Sequence, residues 1–264
     1  MGLQSGEAII LDVLDLQEYD RIVVFLTRES GKKRGVANGA RRKYSRFAGQ
    51  LQPLAKVEAT WFEKEGRDLV RISSLELVRS AERLHKTLEG ILLGAYLADQ
   101  MNVFAQDSED SELLYRLLNS TVEALVGGCD QDLAARYYEA WHLRLAGVLG
   151  ISEECPACGR VFGDRSASGG TLGAALPPTD ETLLCNECAG AGGRAVSAQA
   201  LAFLREISAT SLEKMNRQPP SIETLREMEQ ISARIRRTFL QQELNSYRIM
   251  RETLAGLPSN SRPA

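Results

Sequence analysis

The sequence predicts an α+β fold: an N-terminal five-stranded OB-fold β-barrel, then an all-α helical domain with an inserted four-cysteine zinc-binding module. Three observations carry this reading. Short β-rich runs fill residues 1–80, apolar residues recur at helical spacing from residue 81, and two Cys-x2-Cys pairs sit in a Gly/Ala/Pro-rich stretch between helical blocks. A chain of 264 residues suits two domains, or one domain carrying an insertion. Apolar residues at 44% and charged residues at 25% give an ordinary globular balance, so a proper core is expected. No apolar run approaches the roughly 20 residues that span a bilayer. The opening "MGLQSGEAIILDVLDLQEYD" lacks the basic start of a signal peptide. A cytoplasmic protein with no membrane association is therefore expected.

The elements follow in order. "EAIILDVL" and "RIVVFLT" are apolar runs separated by the polar "DLQEYD". "ESGKKRG" and "ANGARR" supply Gly and Asn punctuation. "LAKVEATWF" alternates, with Val57, Ala59 and Trp61 on one side, and "EKEGRD" marks a hairpin before "LVRISSLELV". About five short strands in 80 residues predict a small barrel. An OB-fold is the natural candidate, and an SH3-like barrel has the same outline at this level. Beyond residue 80 one stripe runs through Leu84, Leu88, Ile91, Leu92 and Ala95. A second runs through Leu114, Leu117, Leu118, Thr121 and Leu125, and a third through Leu133, Tyr137, Ala140, Trp141, Leu145 and Val148, with Gly150 as C-cap. Helices resume after residue 196, one of them capped by Ser221 with Glu223 in its first turn. The expected domains are thus 1–80 (barrel), 81–150 with 197–256 (helical), 151–196 (zinc insertion) and a disordered tail at 257–264.

The net charge of −3 hides a segregation. Residues 28–56 hold nine Lys or Arg against Glu29, which leaves about −11 for the remainder, and residues 106–132 hold seven acids against one base. Such clustering focuses potential on one face even in a chain of acidic balance. The basic block centres on "RGVANGARRKYSRFAGQ". Lys32, Lys33, Arg34, Arg41, Arg42, Lys43 and Arg46 are candidate phosphate contacts, while Tyr44 and Phe47 are candidate platforms for unpaired bases. Contacts to about five phosphates of a single strand imply a slope of log K against log salt near −3.5. Phe47 equally suits a core position, and RNA serves such a face as well as DNA.

Cys155-Pro-Ala-Cys158 and Cys185-Asn-Glu-Cys188 are two knuckles separated by 26 residues. Two thiolates per tight turn give the tetrahedral four-sulfur shell that Zn²⁺ prefers, and a full shell is structural rather than catalytic. Disulfides require an oxidising compartment, and a redox Cys-x-x-Cys requires a βαβ setting. Part of the long separation sits in "GDRSASGG", read as a loop extension. Support for catalysis is slight. His142 lies mid-helix as a packing residue, His85 looks exposed, and no phosphate loop, dinucleotide fingerprint or nucleophile elbow is present. A non-enzymatic binding protein is expected.

The run from Ala8 to Leu54 resembles the N-terminal domain of the RecO family of bacterial recombination mediators. The resemblance rests on the stretch from Tyr19 to Gly31, on "GVANGARR" at Gly35 to Arg42, and on "GQLQP" at Gly49 to Pro53. The four-cysteine insertion and "NSYRIMRETL" are similar to the family's zinc element and last helix. The second knuckle departs from the pattern by lacking a glycine pair before it. The resemblance implies a DNA repair and recombination protein that binds single- and double-stranded DNA and anneals complementary strands. It further implies help in loading the RecA recombinase, action with RecR, and recognition of the acidic C-terminal tail of the single-stranded-DNA-binding protein. A nucleoid-associated location follows. Arg234, Arg236, Arg237, Arg248 and Arg251 are candidate contacts for that tail. The alternative is an RNA- or translation-associated OB-fold/zinc-ribbon protein.

Overall fold

The computed structural model describes residues 2–64, 66, 68–107, 111–150, 152–163, 172–178 and 182–256. The expected tail at 257–264 and most of the loop extension at 164–170 lie outside the described residues. The chain divides into two compact units. One runs to Gly127 and includes the segment from Leu244; the other is Gly128–Glu243.

The first unit is built on a closed barrel of β1 (Gly2–Leu16), β2 (Asp20–Thr27), β3 (Lys32–Ala37), β4 (Lys56–Glu63) and β5 (Leu69–Arg79), in the order β1-β2-β3-β5-β4. All neighbours pair antiparallel except β3 and β5, which run parallel. This is the five-stranded OB-type barrel the sequence predicts. Alternate residues point inward, and Ile10, Val23, Phe25, Val57, Ala59, Trp61, Val70 and Ile72 fill the interior. The ring of Phe25 meets Trp61 edge-on at 5.7 Å between centroids. Strand β3 occupies residues assigned to turn punctuation in the sequence. Of its inward positions, Gly35 is small because β5 fills the space: a Cβ there would lie 2.6 Å from Ile72 Cγ1.

Among the described residues this unit also holds a short 3-10 turn (Leu84–Lys86) and the helices α1 (Leu88–Phe104), α2 (Glu112–Val126) and α7 (Asn245–Ala255). Helix α1 starts at Thr87, whose side chain accepts from Gly90 N at 3.1 Å. It packs on α7 through Tyr96 and Tyr247, with ring centroids 5.3 Å apart. Its buried face is Leu93, Leu97, Ala98 and Met101, whereas Leu88, Ile91 and Ala95 of the expected stripe are exposed. Helix α2 buries Leu117, Leu118, Thr121 and Leu125 of the expected stripe and leaves Leu114 half-buried. It is tied to the barrel by Tyr115 Oη, which donates to Glu7 at 3.4 Å, and by the Arg28–Glu112 ion pair. Helices α1, α2 and α7 group with the barrel, whereas the sequence reading placed them with the later helices in a helical domain of 81–150 and 197–256.

The second unit holds α3 (Gln131–Leu145), a small sheet, α4 (Ala198–Ala209), α5 (Leu212–Met215) and α6 (Ile222–Leu240). The sheet order is β7 (Leu184–Cys185), β6 (Ala174–Leu176), β8 (Arg194–Val196). Asp130 caps α3 by accepting from Leu133 N at 2.8 Å. That helix ends before the expected Gly150: Gly147 adopts φ 73°, Gly147 N donates to Arg144 O and Val148 N to Leu143 O, both at 2.9 Å. Ser221 caps α6 as expected. No helix among the described residues is long and apolar enough to cross a membrane.

Candidate nucleic-acid interface and metal centre

Between β3 and β4 the chain folds into consecutive tight turns pinned to the β1–β2 connection. Gly39 N donates to Asp20 Oδ1 at 2.7 Å, and Arg41 N to Tyr19 O at 2.9 Å. The loop is thus held by two of its backbone amides. The ring of Phe47 is 1% exposed and lies in the barrel core, so it plugs the barrel instead of meeting a base. Arg46 covers that ring, its guanidinium carbon 4.8 Å from the centroid. Tyr44, in contrast, is 90% exposed with Lys43 Nζ 5.6 Å from its ring, and Arg42 lies over Tyr19 at 5.5 Å.

Ion pairing divides the nine cations of residues 28–56. Among the described residues five have carboxylate partners: Arg28 with Glu112, Lys32 with Asp107, Lys33 with Glu63, Arg41 with Asp15, and Lys56 with Glu7. Lys33 projects into the barrel end, 7% exposed and 2.9 Å from Glu63. Lys32 donates to Asn102 O at 2.7 Å and is half-buried. These two leave the set of phosphate contacts expected from sequence, because their charges are spent on protein groups, and Phe47 leaves it because it is core. Arg34, Arg42, Lys43 and Arg46 are exposed and have no ion pair among the described residues. Arg41 is intermediate: it reaches Asp15 at 3.4 Å and Gln17 O at 3.3 Å yet remains exposed. The surviving constellation is Arg34, Arg41, Arg42, Lys43, Tyr44 and Arg46.

The arginines of the expected partner site have different surroundings. Arg236 is fully buried in the second unit, 2.9 Å from Glu243 and 3.7 Å from Glu139. Glu139 also pairs with Arg136 at 3.0 Å, and Arg136 with Glu229 at 3.4 Å. This is a buried charge network between α3 and α6, so Arg236 cannot meet a partner. Arg234 is half-buried and donates to Pro177 O. Arg237 is exposed; so are Arg248 and Arg251 on α7, where Arg248 lies near Glu252 and Arg251 over Tyr247. His142 is buried beside Tyr138, as expected of a packing residue. Burial first, and then the Arg236 charge, lower its pKa to about 3.

The four knuckle cysteines converge, all sulfurs lying within 4.8 Å of one another. A tetrahedral shell with Zn–S of about 2.3 Å has sulfur–sulfur edges of about 3.8 Å, and Cys158 Sγ lies 3.9 Å from Cys185 Sγ. Each knuckle closes by a turn: Gly159 N donates to Cys155 O at 2.7 Å and Ala189 N to Cys185 O at 2.8 Å. Gly159 and Gly190, at φ 71° and 68°, supply the left-handed step after each knuckle. Backbone amides point at sulfur, Cys185 N at Cys155 Sγ and Cys188 N at Cys185 Sγ. Hydrogen bonds from the Arg160 backbone and side chain pull the Cys158 thiol down to about 6, whereas Cys188, held by Cys185 and Cys158, is pushed up to about 12. Four thiolates cannot share this space without a cation, so the donor set fits a metal ion.

Comparison with known proteins agrees with this geometry. The family described as Recombination protein O N terminal matches residues 1–81, and Recombination protein O C terminal matches residues 85–248. The chain is 32% identical over 205 residues to a DNA repair protein RecO of Geobacter sulfurreducens, covering 77% of this chain and 80% of that one. It is 31% identical over 218 residues to one of Anaeromyxobacter sp. (strain Fw109-5), covering 81% and 83%. A third, from Anaeromyxobacter sp. (strain K), is 32% identical over 175 residues, covering 64% and 69%. With an OB-type barrel bearing exposed cations, a four-cysteine cluster, and both family segments matched in order, the chain belongs to the RecO family.

Proposed function

We propose that this chain is a non-enzymatic DNA repair and homologous recombination mediator. It binds single- and double-stranded DNA through the barrel, anneals complementary strands, and helps load the RecA recombinase onto coated single strands. The observation that carries the reading is the loop of Arg42, Lys43, Tyr44 and Arg46, pinned to the barrel with its charges uncompensated. Sugar-phosphate contacts of this kind neutralise charge without reading sequence, which is what pairing arbitrary complementary strands requires. Annealing of complementary oligonucleotides, followed by fluorescence quenching, tests it. Arg42→Glu/Lys43→Glu/Arg46→Glu is expected to abolish the acceleration; unchanged annealing rejects the reading. Competition between DNA and RNA strands of one sequence separates it from the translation-associated alternative.

The cysteine cluster is proposed as a structural Zn²⁺ site. A bound ion there supplies folding energy of order 10 kcal/mol to its small module, as in zinc-finger peptides. One equivalent of zinc by elemental analysis, and chelator-induced loss of exchange protection confined to residues 152–196, are expected. Proposed partners are RecR and the acidic tail of the single-stranded-DNA-binding protein, and the proposed location is the bacterial cytoplasm at the nucleoid. For the tail, an apolar cavity of about 130 Å³ lined by Phe162, Leu183, Leu201 and Leu204, with Arg205 on its wall, is a better seat than the buried Arg236. Arg205→Glu is expected to weaken tail-peptide binding, with DNA affinity retained.

A further inference from the structure

The outer face of the barrel carries a second set of groups, of which the sequence reading singled out only Arg34. Strand register places them in two adjacent rows. Leu3 pairs with Phe62, Phe62 with Arg71, and Arg71 with Val36; beside that row Arg34 pairs with Leu69. Their chain neighbours Trp61, Val70, Ile72 and Gly35 are buried inside the barrel, so this set faces out. Phe62 is 40% exposed, and Leu3, Leu69, Arg34 and Arg71 are exposed too. Neither arginine has an ion pair among the described residues, whereas the inward-facing Lys33 of the same strand does. Cross-strand neighbours stand about 5 Å apart, so Phe62 lies beside Arg71 and about 10 Å from the strand bearing Arg34.

An exposed aromatic ring with two guanidinium groups to one side of it, neither ion-paired among the described residues, matches a short unpaired segment of nucleic acid, with a base for the ring and phosphates for the cations. Strand β3 runs from Arg34 directly into the basic loop, so the face is continuous with it. We propose that this face of β4, β5 and β3 extends the nucleic-acid track, Phe62 stacking on an unpaired base while Arg71 and, beyond it, Arg34 hold phosphates on one side of that base. The proposal rests on the barrel being the DNA-binding element. A duplex, whose bases are already stacked, gains nothing from Phe62, so the extension selects single strands.

The test uses the intact chain and fluorescein-labelled oligo-dT, with a mixed-sequence duplex of equal length, read by anisotropy. Phe62→Ala is expected to weaken single-strand binding at least about fivefold and leave duplex binding unchanged. Phe62→Leu keeps apolar area but has no π face, so it serves as the folding-safe variant and is expected to show the same loss. Arg71→Gln is expected to make the single-strand salt slope shallower by about 0.7. Parental single-strand affinity in Phe62→Leu overturns the proposal, as does equal weakening of both DNAs by Phe62→Ala. The loop variant Arg42→Glu/Lys43→Glu/Arg46→Glu separates the two levels. If it fails to bind while the Phe62 and Arg71 variants bind normally, the track ends at the loop; if it binds like the parent, the barrel reading itself is wrong.

Discussion

Two arginine-rich segments of this chain look alike on paper and behave oppositely in the fold. Residues 41–46 present Arg42, Lys43 and Arg46 to solvent without carboxylate partners among the described residues, on a loop fastened by Asp20 and Tyr19. Residues 234–237 include Arg236, which is 0% exposed and shares Glu139 with Arg136. The first segment has charge available for a ligand; in the second, Arg236 uses its charge to join two helices. Availability, not abundance, decides which cations can bind a polyanion, and it is set by partners far away in the chain.

The sharpest way to break this contrast is to remove the shared carboxylate. Glu139→Ala leaves Arg136 and Arg236 facing each other in a buried site, and is expected to destabilise the 128–243 unit by about 3–5 kcal/mol. Urea unfolding monitored by hydrogen exchange in that unit checks this, and an equivalent loss from Arg42→Ala would erase the distinction.

A second effect comes from His142. Its folded pKa of about 3 means the native unit refuses a proton that the unfolded chain accepts below about pH 6.5. The associated stability is fully present above pH 6.5 and declines as pH falls toward 3, at about 1.4 kcal/mol per unit. His142→Gln is expected to flatten the dependence of unfolding free energy on pH between 6.5 and 4.5. An identical slope in parent and variant contradicts the assignment.

The smallest expected change concerns Asp15, which pairs with both Arg21 (3.2 Å) and Arg41 (3.4 Å) at the surface. Asp15→Asn frees Arg41 for phosphate, and since exposed pairs contribute only about 0–1 kcal/mol, single-strand affinity is expected to rise two- to fivefold. A fall in affinity would mean that Asp15 positions Arg41 productively instead of competing for it.

What the sequence revealed depended on whether the cause was local. The cysteine knuckles were legible in full, because ligand spacing and the turn that serves it lie within a few residues. Strand β4 was legible through Val57, Ala59 and Trp61, which alternate as the inward face demands. Strand β3 was not, because "KKRGVA" has no apolar alternation: its inward positions are Lys33, neutralised by Glu63, and Gly35, kept small by Ile72. The phase of α1 was misjudged because apolar residues surround that helix, and packing against α7, β1 and the turn at Leu84–Lys86 selects Leu93, Leu97 and Met101. Arg71 and Phe62 were missed since neither belongs to a cluster in sequence; cross-strand register brings them together.

The central claim is that uncompensated cations, and not all clustered ones, hold DNA. Its most direct test is the salt dependence of oligo-dT binding by three forms of the intact chain. Relative to the parent, Arg42→Gln/Lys43→Gln/Arg46→Gln is expected to give a slope shallower by about 2, while Lys32→Gln/Lys33→Gln leaves the slope unchanged even if it lowers stability. Equal loss of slope in the two variants, or loss only in the second, would contradict the account.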